Sequence, residues 1–202
     1  MDTRPATLKI GVFGGAFDPI HIGHLAAAQE VAEELGLDRV LFVPALQPPH
    51  KDAEGLTPAP IRVGMVREAT RDHPLFGVSD IECRRPPPSF TVDTLRQLAG
   101  LELARWHLIM GADQWGRFGQ WREPDEVSVL AELVLVTREG ERPEDIDPGL
   151  ASGLRPPFRE VPITRIDISS TLVRRRVREG RSIRYLVPDG VRRIIEAEKL
   201  YR

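Results

Sequence analysis

The sequence has little cysteine and no long apolar run, and each shortage excludes a class of protein. Cys83 is the only cysteine among 202 residues, so an internal disulfide is impossible and a reducing cytoplasm is the expected compartment. No apolar run approaches the ~18 residues of a membrane span, and the opening MDTRPATLKIGVF lacks the apolar stretch of a signal peptide. With 41% hydrophobic, 29% charged and only 6% aromatic residues, the chain is expected to fold as a single soluble domain over residues 1–202.

Positive charge is concentrated toward the carboxyl end of the chain, although the net charge is only −2. Residues 165–202 contain 11 Lys/Arg and 5 Asp/Glu, whereas residues 1–164 contain 17 and 25. Such asymmetry is found in proteins that contact nucleic acid or a membrane, and at sites that collect phosphates. Arginines that only coat solvated helices would give the same counts, so charge alone does not decide the function.

Short apolar segments alternate with helical patterns along the chain. The predicted strands are Leu8–Phe13, Val40–Val43, Phe76–Ser79, Trp106–Met110, Leu133–Thr137 and Val161–Ile163. The predicted helices are His24–Leu35, Ile61–Ala69, Thr91–Leu98, Ser169–Arg178 and Val191–Leu200. This alternation indicates an α/β fold with a doubly wound, mainly parallel Rossmann-like sheet and helices on both faces. Ligands of such sheets bind beyond the carboxyl ends of the strands, where the strand order reverses.

The segment after the first strand, GGAFDPIHIGH at residues 14–24, has the features of a phosphate site. Gly14 and Gly15 let a ligand approach the backbone closely because no Cβ intervenes. The following helix directs free N–H groups and its positive dipole end at the same space. His21 and His24 are three residues apart and would lie on one face, where imidazole N–H groups can hold phosphate oxygens. A lone histidine is more often a cap or a core residue, but the complete pattern favours phosphate chemistry.

A second motif, ISSTLVRRR at residues 168–176, precedes a basic helix. Its hydroxyls and amides lie at a helix N terminus, and Arg174 follows Thr171 by one turn. By itself this motif is only a good N-cap. Together the two motifs resemble the signatures GGxFDPxHxGH and ISSTxxRxR of the nucleotidyltransferase superfamily, whose members transfer AMP or CMP from a nucleoside triphosphate. By this resemblance, the helical segment of about residues 165–202 completes the ATP site.

Three further segments resemble bacterial nicotinate mononucleotide adenylyltransferases and extend the resemblance over Lys9–Tyr201. They are VPxxxPPHK at residues 43–51, SFTVDTL at residues 89–95, and Gly111-Ala112-Asp113 followed by Trp121. The sequence departs from the family pattern at Ala16, where Thr or Ser is common, and at Phe90, where Tyr is usual. These departures concern substrate contacts rather than the reaction.

The resemblance implies transfer of AMP from ATP to nicotinate mononucleotide, giving nicotinate adenine dinucleotide (deamido-NAD) and pyrophosphate in NAD biosynthesis. The implied ATP-binding residues are Gly14, Gly15, Phe17, His21, His24, Gly111, Asp113, Ile168, Ser169, Ser170, Thr171, Arg174 and Arg176. Of these, the implied catalytic residues are His21, His24 and Arg174. The implied acceptor-binding residues are Ala16, Lys51, Thr91, Trp121 and Arg122. The resemblance implies that Lys51 meets the acceptor phosphate and that Asp113 binds the ribose hydroxyls of ATP. We expect Mg²⁺ to be held by the ATP phosphates and water, without a metal site made of protein ligands.

Alternatives remain open at this point. The acceptor could be nicotinamide mononucleotide or phosphopantetheine, Trp121 could be a core aromatic, and Lys51 could be a solvated loop charge. The string His21–His24 also occurs in class I aminoacyl-tRNA synthetases, but no KMSKS-like stretch is present. A nucleic-acid binder using Arg174–Arg193 would leave both histidines unexplained. We therefore expect ATP and nicotinate mononucleotide as partners, no nucleic acid and no membrane; a homo-oligomer is compatible with the sequence.

Overall fold

The computed structural model describes residues 7–47, 55–138, 141–142, 145–149, 153 and 155–202. The strands in these ranges are β1 (Leu8–Gly15), β2 (Arg39–Pro44), β3 (Phe76–Val78), β4 (Ala104–Gly111), β5 (Glu132–Thr137) and β6 (Phe158–Pro162). The helices are α1 (Ile22–Leu35), α2 (Ala59–Thr70), α3 (Thr91–Leu101), α4 (Ala112–Trp115), α5 (Pro124–Leu130), α6 (Ser170–Arg178) and α7 (Asp189–Ala197). Short 3₁₀ turns occupy Ile81–Arg84 and Phe118–Gln120. None of the helices in this part of the chain has the length and apolarity to cross a bilayer.

The strands form one sheet in the order β3-β2-β1-β4-β5-β6, and every neighbouring pair is parallel. The chain proceeds outward from β1 to β3 and then returns to place β4 on the other side of β1. The strand order therefore reverses between β1 and β4, where Phe13 is in register with Ile109. The predicted doubly wound parallel sheet is confirmed. Its switch point lies at residues 14–19, which we call the glycine turn and which begin with the last two residues of β1.

Helices cover both faces of the sheet because successive side chains of each strand point to opposite faces. Phe13 belongs to an apolar cluster with α1, α2, α6 and α7, which includes Val31 and Val173. Val12 belongs to a second cluster with α3, α4 and α5, which includes Leu95. Each fully buried aliphatic side chain of this kind stabilises the fold by roughly 1.5–3 kcal/mol. The carboxyl end of β1 is therefore held between two packed layers.

Some predicted boundaries were wrong, for identifiable reasons. Gly14 and Gly15 do not interrupt β1, because both remain in register with the end of β2. The helix α7 ends at Ala197 rather than Leu200, since Lys199 has a left-handed φ of 52°. The helices α4 and α5 were not predicted: the first has four residues, and the second begins with a proline. The remaining boundaries agree to within a few residues, and α1 ends at the C-cap Gly36, which is left-handed with a φ of 59°.

Candidate active site

The two glycines at the end of β1 have different roles at a cavity of about 330 Å³ beside the switch point. A Cβ built on Gly14 would meet no atom within 4 Å, and Gly14 lines the cavity, so a ligand can approach its backbone. A Cβ on Gly15 would lie 3.1 Å from the ring of Phe17. The second glycine therefore makes room for a neighbouring side chain, and the first leaves room for a ligand.

Phe17 supports the site from below. Its side chain is buried, its φ is 48°, and its ring packs edge-on against His24 with 5.2 Å between centroids. A positive φ is unfavourable for a bulky residue, so the surrounding packing must compensate for it. Phe17 was predicted to bind ATP; in this structure its ring is buried against His24.

His21 and His24 lie side by side at the start of α1. Their rings stack with centroids 3.7 Å apart, and the backbone N–H of His21 donates to Nδ1 of His24 over 3.3 Å. His21 is the N-cap and His24 is the third helical residue. Residues three apart lie on the same side of a helical turn, so the two side chains meet. Because Nδ1 of His24 accepts, a neutral His24 ring carries its proton on Nε2.

The environment keeps His21 neutral at physiological pH. Burial, together with the positive charge of Arg138, lowers the pKa of His21 from 6.5 to about 4. A neutral His21 ring can offer a ligand a hydrogen bond but no charge. Arg138 is a residue that sequence reasoning missed; it follows β5 directly, and the rule that places ligands beyond strand ends could have found it.

The second motif docks directly onto the glycine turn. Ser169 is the predicted N-cap of α6, and its hydroxyl accepts a backbone N–H one turn along. The Ser170 hydroxyl donates to the carbonyl of Pro19 over 2.8 Å, and the Arg174 guanidinium donates to the carbonyl of Asp18 over 2.7 Å. The structure thus brings together two segments that lie at opposite ends of the sequence.

Three other residues of the second motif have contacts away from the glycine turn. Thr171 is exposed, and its hydroxyl accepts from Arg174 over 3.4 Å. Ile168 packs against the apolar core, so its side chain acts as a support. Arg176 donates through Nε to the carbonyl of Ser182 over 2.9 Å, in the connection between α6 and α7. Its described contact is therefore with that connection and not with the glycine turn.

Part of the positive charge of residues 165–202 is paired within that segment. Arg165 pairs with Asp167 at 3.0 Å, and Arg192 pairs with Asp189 at 3.1 Å and with Glu196 at 2.8 Å. Two arginines of α6 donate to backbone carbonyls. Surface pairs of this kind are typical of solvated helix faces.

Asp18 is an anchor of the turn that sequence reasoning did not single out. Its side chain is buried, and its carboxylate accepts a hydrogen bond from the Tyr201 hydroxyl at 2.6 Å and another from the Thr57 backbone N–H at 3.3 Å. Burial and the hydrogen bond to Asp18 raise the pKa of Tyr201. The aspartate of the FDP segment therefore secures the turn to the end of the chain.

Most of the predicted acceptor residues line the cavity of the glycine turn. They are Ala16, Thr91, Trp121 and Arg122, and the predicted ribose ligand Asp113 joins them. Trp121 is only half-buried and contacts Phe118 with 5.4 Å between centroids, so part of its ring remains available to a ligand. Gly111 ends β4 and is the N-cap of α4, which places Asp113 in the first turn beside the cavity.

Arg122 is held by neighbours on α3 and beside it. Its guanidinium lies 5.1 Å from the centroid of the Phe90 ring, 3.5 Å from Asp93 and 3.2 Å from Glu123. The Phe90 ring thus makes a cation–π contact with Arg122, although it lacks the hydroxyl of the tyrosine that is usual at this position. Because the charge of Arg122 is already balanced, its contribution to acceptor binding is expected from its backbone N–H.

Glu82 also lines this cavity, and sequence reasoning missed it. Burial raises the pKa of its carboxyl group, which accepts from Thr94 at 2.5 Å and lies 3.7 Å from Arg85. This chain of contacts holds the first turn of α3, where Thr91 begins the helix. Burial raises the pKa of the adjacent Cys83 thiol, which is the opposite of an activated cysteine.

Two further predictions concern the acceptor phosphate and the metal. Lys51, predicted to meet the acceptor phosphate, lies outside the described residues. Over the parts of the chain that the structure covers, no three His, Cys, Asp or Glu side chains are grouped to hold a metal ion.

Comparison with known proteins decides the family. The cytidylyltransferase-like family matches residues 12–176, a region that includes both motifs and the cavity. The chain belongs to this family. The probable nicotinate-nucleotide adenylyltransferase of Roseiflexus sp. (strain RS-1) is 45% identical over 201 residues, covering 98% of this chain and 100% of that protein. That of Thermus thermophilus is 44% identical over 198 residues, covering 96% and 100%.

Solved structures confirm the cytidylyltransferase-like fold. The Plasmodium falciparum nicotinic acid mononucleotide adenylyltransferase complexed with NaAD superposes with a TM-score of 0.78 at 18% identity, covering 96% of this chain and 97% of that one. A putative nicotinate-nucleotide adenylyltransferase from Vibrio parahaemolyticus gives a TM-score of 0.69 at 21% identity, covering 96% of each chain. The names of the relatives confirm the resemblance read from the motifs.

Proposed function

We propose that this protein transfers AMP from ATP to nicotinate mononucleotide, forming nicotinate adenine dinucleotide and pyrophosphate in NAD biosynthesis. The observation that carries the proposal is the junction at the switch point. There the stacked histidines and the docked second motif contact the glycine turn, and the turn lines a cavity whose wall includes Trp121. The names of the Roseiflexus and Thermus relatives support nicotinate mononucleotide as the acceptor.

The reaction needs positioning more than covalent help from the protein. A phosphate oxygen of nicotinate mononucleotide attacks the α-phosphorus of ATP. A new P–O bond forms while the bond from that phosphorus to the bridging oxygen of the β-phosphate breaks, and pyrophosphate leaves. The protein therefore has to align the two phosphates and stabilise the charge that moves toward the leaving group.

The triphosphate would lie over Gly14 and the amino end of α1. The positive end of the helix dipole attracts anions at such a position. His24 would donate from Nε2 to an α-phosphate oxygen, and the neutral His21 would orient the neighbouring oxygen. Arg174 is a permanent cation with five N–H donors, so it can hold the β- and γ-phosphates while it contacts Asp18. Mg²⁺ would enter with ATP as part of the substrate.

The acceptor would occupy the rest of the cavity. Its pyridine ring would stack on Trp121, and its carboxylate would accept from Thr91 and from the backbone N–H of Arg122. Asp113 would accept from the ribose hydroxyls of ATP, and Lys51 would meet the acceptor phosphate. We place the reaction in the cytoplasm.

The test is to incubate the protein with ATP, Mg²⁺ and each acceptor in turn: nicotinate mononucleotide, nicotinamide mononucleotide and phosphopantetheine. Pyrophosphate release would be quantified, and the product identified by mass spectrometry. We expect release that depends on nicotinate mononucleotide and a product with the mass of nicotinate adenine dinucleotide. Pyrophosphate that forms equally without an acceptor, or fails to form with nicotinate mononucleotide, would reject the proposal.

A further inference from the structure

Arg62 is the most completely buried charged side chain in the described ranges, with no exposed surface. It lies in the first turn of α2, and its guanidinium donates to three backbone carbonyls. Nε donates to Thr57 over 2.7 Å, one terminal nitrogen to Ala16 over 2.6 Å, and the other to Leu46 over 2.9 Å. All three nitrogens of one side chain are therefore committed to the main chain.

The three carbonyls belong to different parts of the site. Ala16 is in the glycine turn after β1, Leu46 follows the end of β2, and Thr57 lies just before α2. Ala16 lines the cavity, and Lys51, the predicted ligand of the acceptor phosphate, lies between Leu46 and Thr57 in the sequence. Arg62 therefore joins the segment expected to hold the triphosphate to the segments expected to hold the acceptor.

This arrangement is more than an ordinary way to fill the core. A buried guanidinium carries a large desolvation penalty, and no described carboxylate forms an ion pair with it; the charge of Asp18 acts on it only through space. Packing alone would be achieved more easily by an apolar side chain of similar volume. A planar fork with fixed donor directions, in contrast, specifies where three separate carbonyls lie.

We infer that Arg62 is a positioning residue that fixes the glycine turn relative to the segments on either side of residues 48–54, and so aligns the two reacting phosphates. This inference rests on the proposed adenylyl transfer. Alignment matters because reacting atoms must approach to roughly 3–3.5 Å, and a displacement of about 1 Å can reduce the rate about 100-fold. Replacing Arg62 should therefore reduce kcat by a larger factor than it reduces the fraction of protein that is folded.

The test compares Arg62→Met and Arg62→Lys with Met65→Ala. Met65 is fully buried one turn along the same helix and packs in the apolar core, so its truncation controls for general destabilisation of α2. Stability would be measured by urea unfolding, and kcat and both KM values under conditions where each variant is folded. We expect Arg62→Met to lose about 100-fold in kcat, Arg62→Lys to recover part of it, and Met65→Ala to stay within about threefold of the unaltered protein.

Hydrogen exchange gives a second measurement that does not depend on catalysis. The amide of Ala45 donates to the Gly15 carbonyl over 2.9 Å, and the amide of Thr57 donates to Asp18 over 3.3 Å. In both Arg62 variants these amides should exchange faster, while those of β4 and β5 stay unchanged. If Arg62→Met does not fold, Arg62→Lys carries both measurements.

Unchanged kcat and unchanged exchange in a folded Arg62 variant would overturn the inference. An equal loss of kcat in Met65→Ala would also overturn it, because the effect would then follow stability alone. Failure of the unaltered protein to form the dinucleotide would instead reject the proposed function. The exchange measurement would still decide in that case whether Arg62 holds the three segments together.

Discussion

The imidazole rings of His21 and His24 are stacked 3.7 Å apart, at an interplanar angle of 26°, at the amino end of α1. His21 is buried and neutral, with a pKa of about 4, and its backbone N–H orients the ring of His24. We therefore expect the two histidines to have different roles. We expect the neutral His21 to hold the ring of His24 in place and to orient a phosphate oxygen, and His24 to donate from Nε2 to the α-phosphate.

His24→Ala tests the role of His24 as a hydrogen-bond donor. Removing a positioned donor to the α-phosphate should reduce kcat by about 100-fold or more, the scale seen when a preorganised electrostatic donor is lost. The measurement is dinucleotide formation, with circular dichroism to confirm folding. His73→Ala is the matched control, since that ring also stacks on an aromatic side chain, Phe76, at 3.6 Å but lies before β3, at the opposite end of the strands. A folded His24→Ala protein with normal turnover would remove His24 from the mechanism.

The lowered pKa of His21 predicts a specific loss of stability in acid. The folded protein favours the neutral ring, so this stabilisation is complete above the unfolded pKa of 6.5 and is lost as pH falls toward about 4. Between about pH 7.5 and about pH 5, the free energy of unfolding should fall by about 2 kcal/mol from this group alone. Urea unfolding at several pH values measures it, with His21→Asn as the variant that lacks the titrating ring.

The prediction is decided by comparing how steeply the free energy of unfolding changes with pH in the two proteins. His21→Asn should lose less stability than the unaltered protein over the same pH range, whatever its stability at neutral pH. Identical pH dependence of the two proteins would mean that His21 is not held neutral by the fold.

The sheet and the glycine turn could be predicted because their signals are local. The two central strands contain short apolar runs, Ile10–Phe13 in β1 and Leu108–Met110 in β4, and the turn follows the first of them directly. The helix α5 was missed because it begins at Pro124 and has Val127 as its only fully buried residue, so no apolar period was visible. Local patterns thus predicted the place of the site better than the outline of every helix.

The contacts that hold the site together could not be predicted in the same way. Arg62 donates to a carbonyl 46 residues away, and Tyr201 donates to the carboxylate of Asp18 from 183 residues away. A backbone carbonyl leaves no trace in the sequence of the residue that carries it, so no motif marks it as a partner. A charged residue within the apolar pattern of α2 was the one available signal for Arg62.

Replacing each glycine of the turn by alanine should separate binding from stability. A methyl group on Gly14 would enter the cavity, so Gly14→Ala should weaken ATP binding by about tenfold, while the free energy of unfolding changes by less than about 1 kcal/mol. A methyl group on Gly15 would press on Phe17, so Gly15→Ala should destabilise the fold by about 1–3 kcal/mol. Calorimetric titration with ATP and urea unfolding measure the two effects. Equal loss of stability in both variants would contradict the division of roles.

Arg174 is expected to serve ATP more than the acceptor. Arg174→Ala should raise the KM for ATP by about tenfold or more, because a hydrogen bond to a charged group contributes ~1.5–3 kcal/mol, and should change the KM for the acceptor much less. Arg174→Lys should recover only part of the loss, since an ammonium group cannot contact the phosphates and the Asp18 carbonyl with one planar fork. The exposed neighbour Arg175 provides the control, and Arg175→Ala should leave both KM values unchanged. Equal impairment toward both substrates would argue against the assignment to ATP.

The preference for an acid over an amide should come from neutral donors in the cavity. The guanidinium of Arg122 is engaged by Asp93 and Glu123, so the acceptor carboxylate is left with the Thr91 hydroxyl and the backbone N–H after Trp121. The amide of nicotinamide mononucleotide would turn an NH₂ group toward such donors, and each unpaired contact costs about 1–3 kcal/mol. Two such contacts give a preference on the order of 100-fold, measured as the ratio of kcat/KM for the two mononucleotides.

Substitutions at two positions separate this preference from simple stacking. Trp121→Ala should weaken both acceptors alike, because the pyridine ring is common to them, and Trp121→Phe should restore part of the binding. Thr91→Val should lower the ratio itself, since it removes a donor without removing the ring. Equal kcat/KM values for acid and amide in the unaltered protein would defeat nicotinate mononucleotide as the preferred acceptor and leave adenylyl transfer intact. A ratio that is high and unaffected by Thr91→Val would assign the discrimination to the backbone N–H alone.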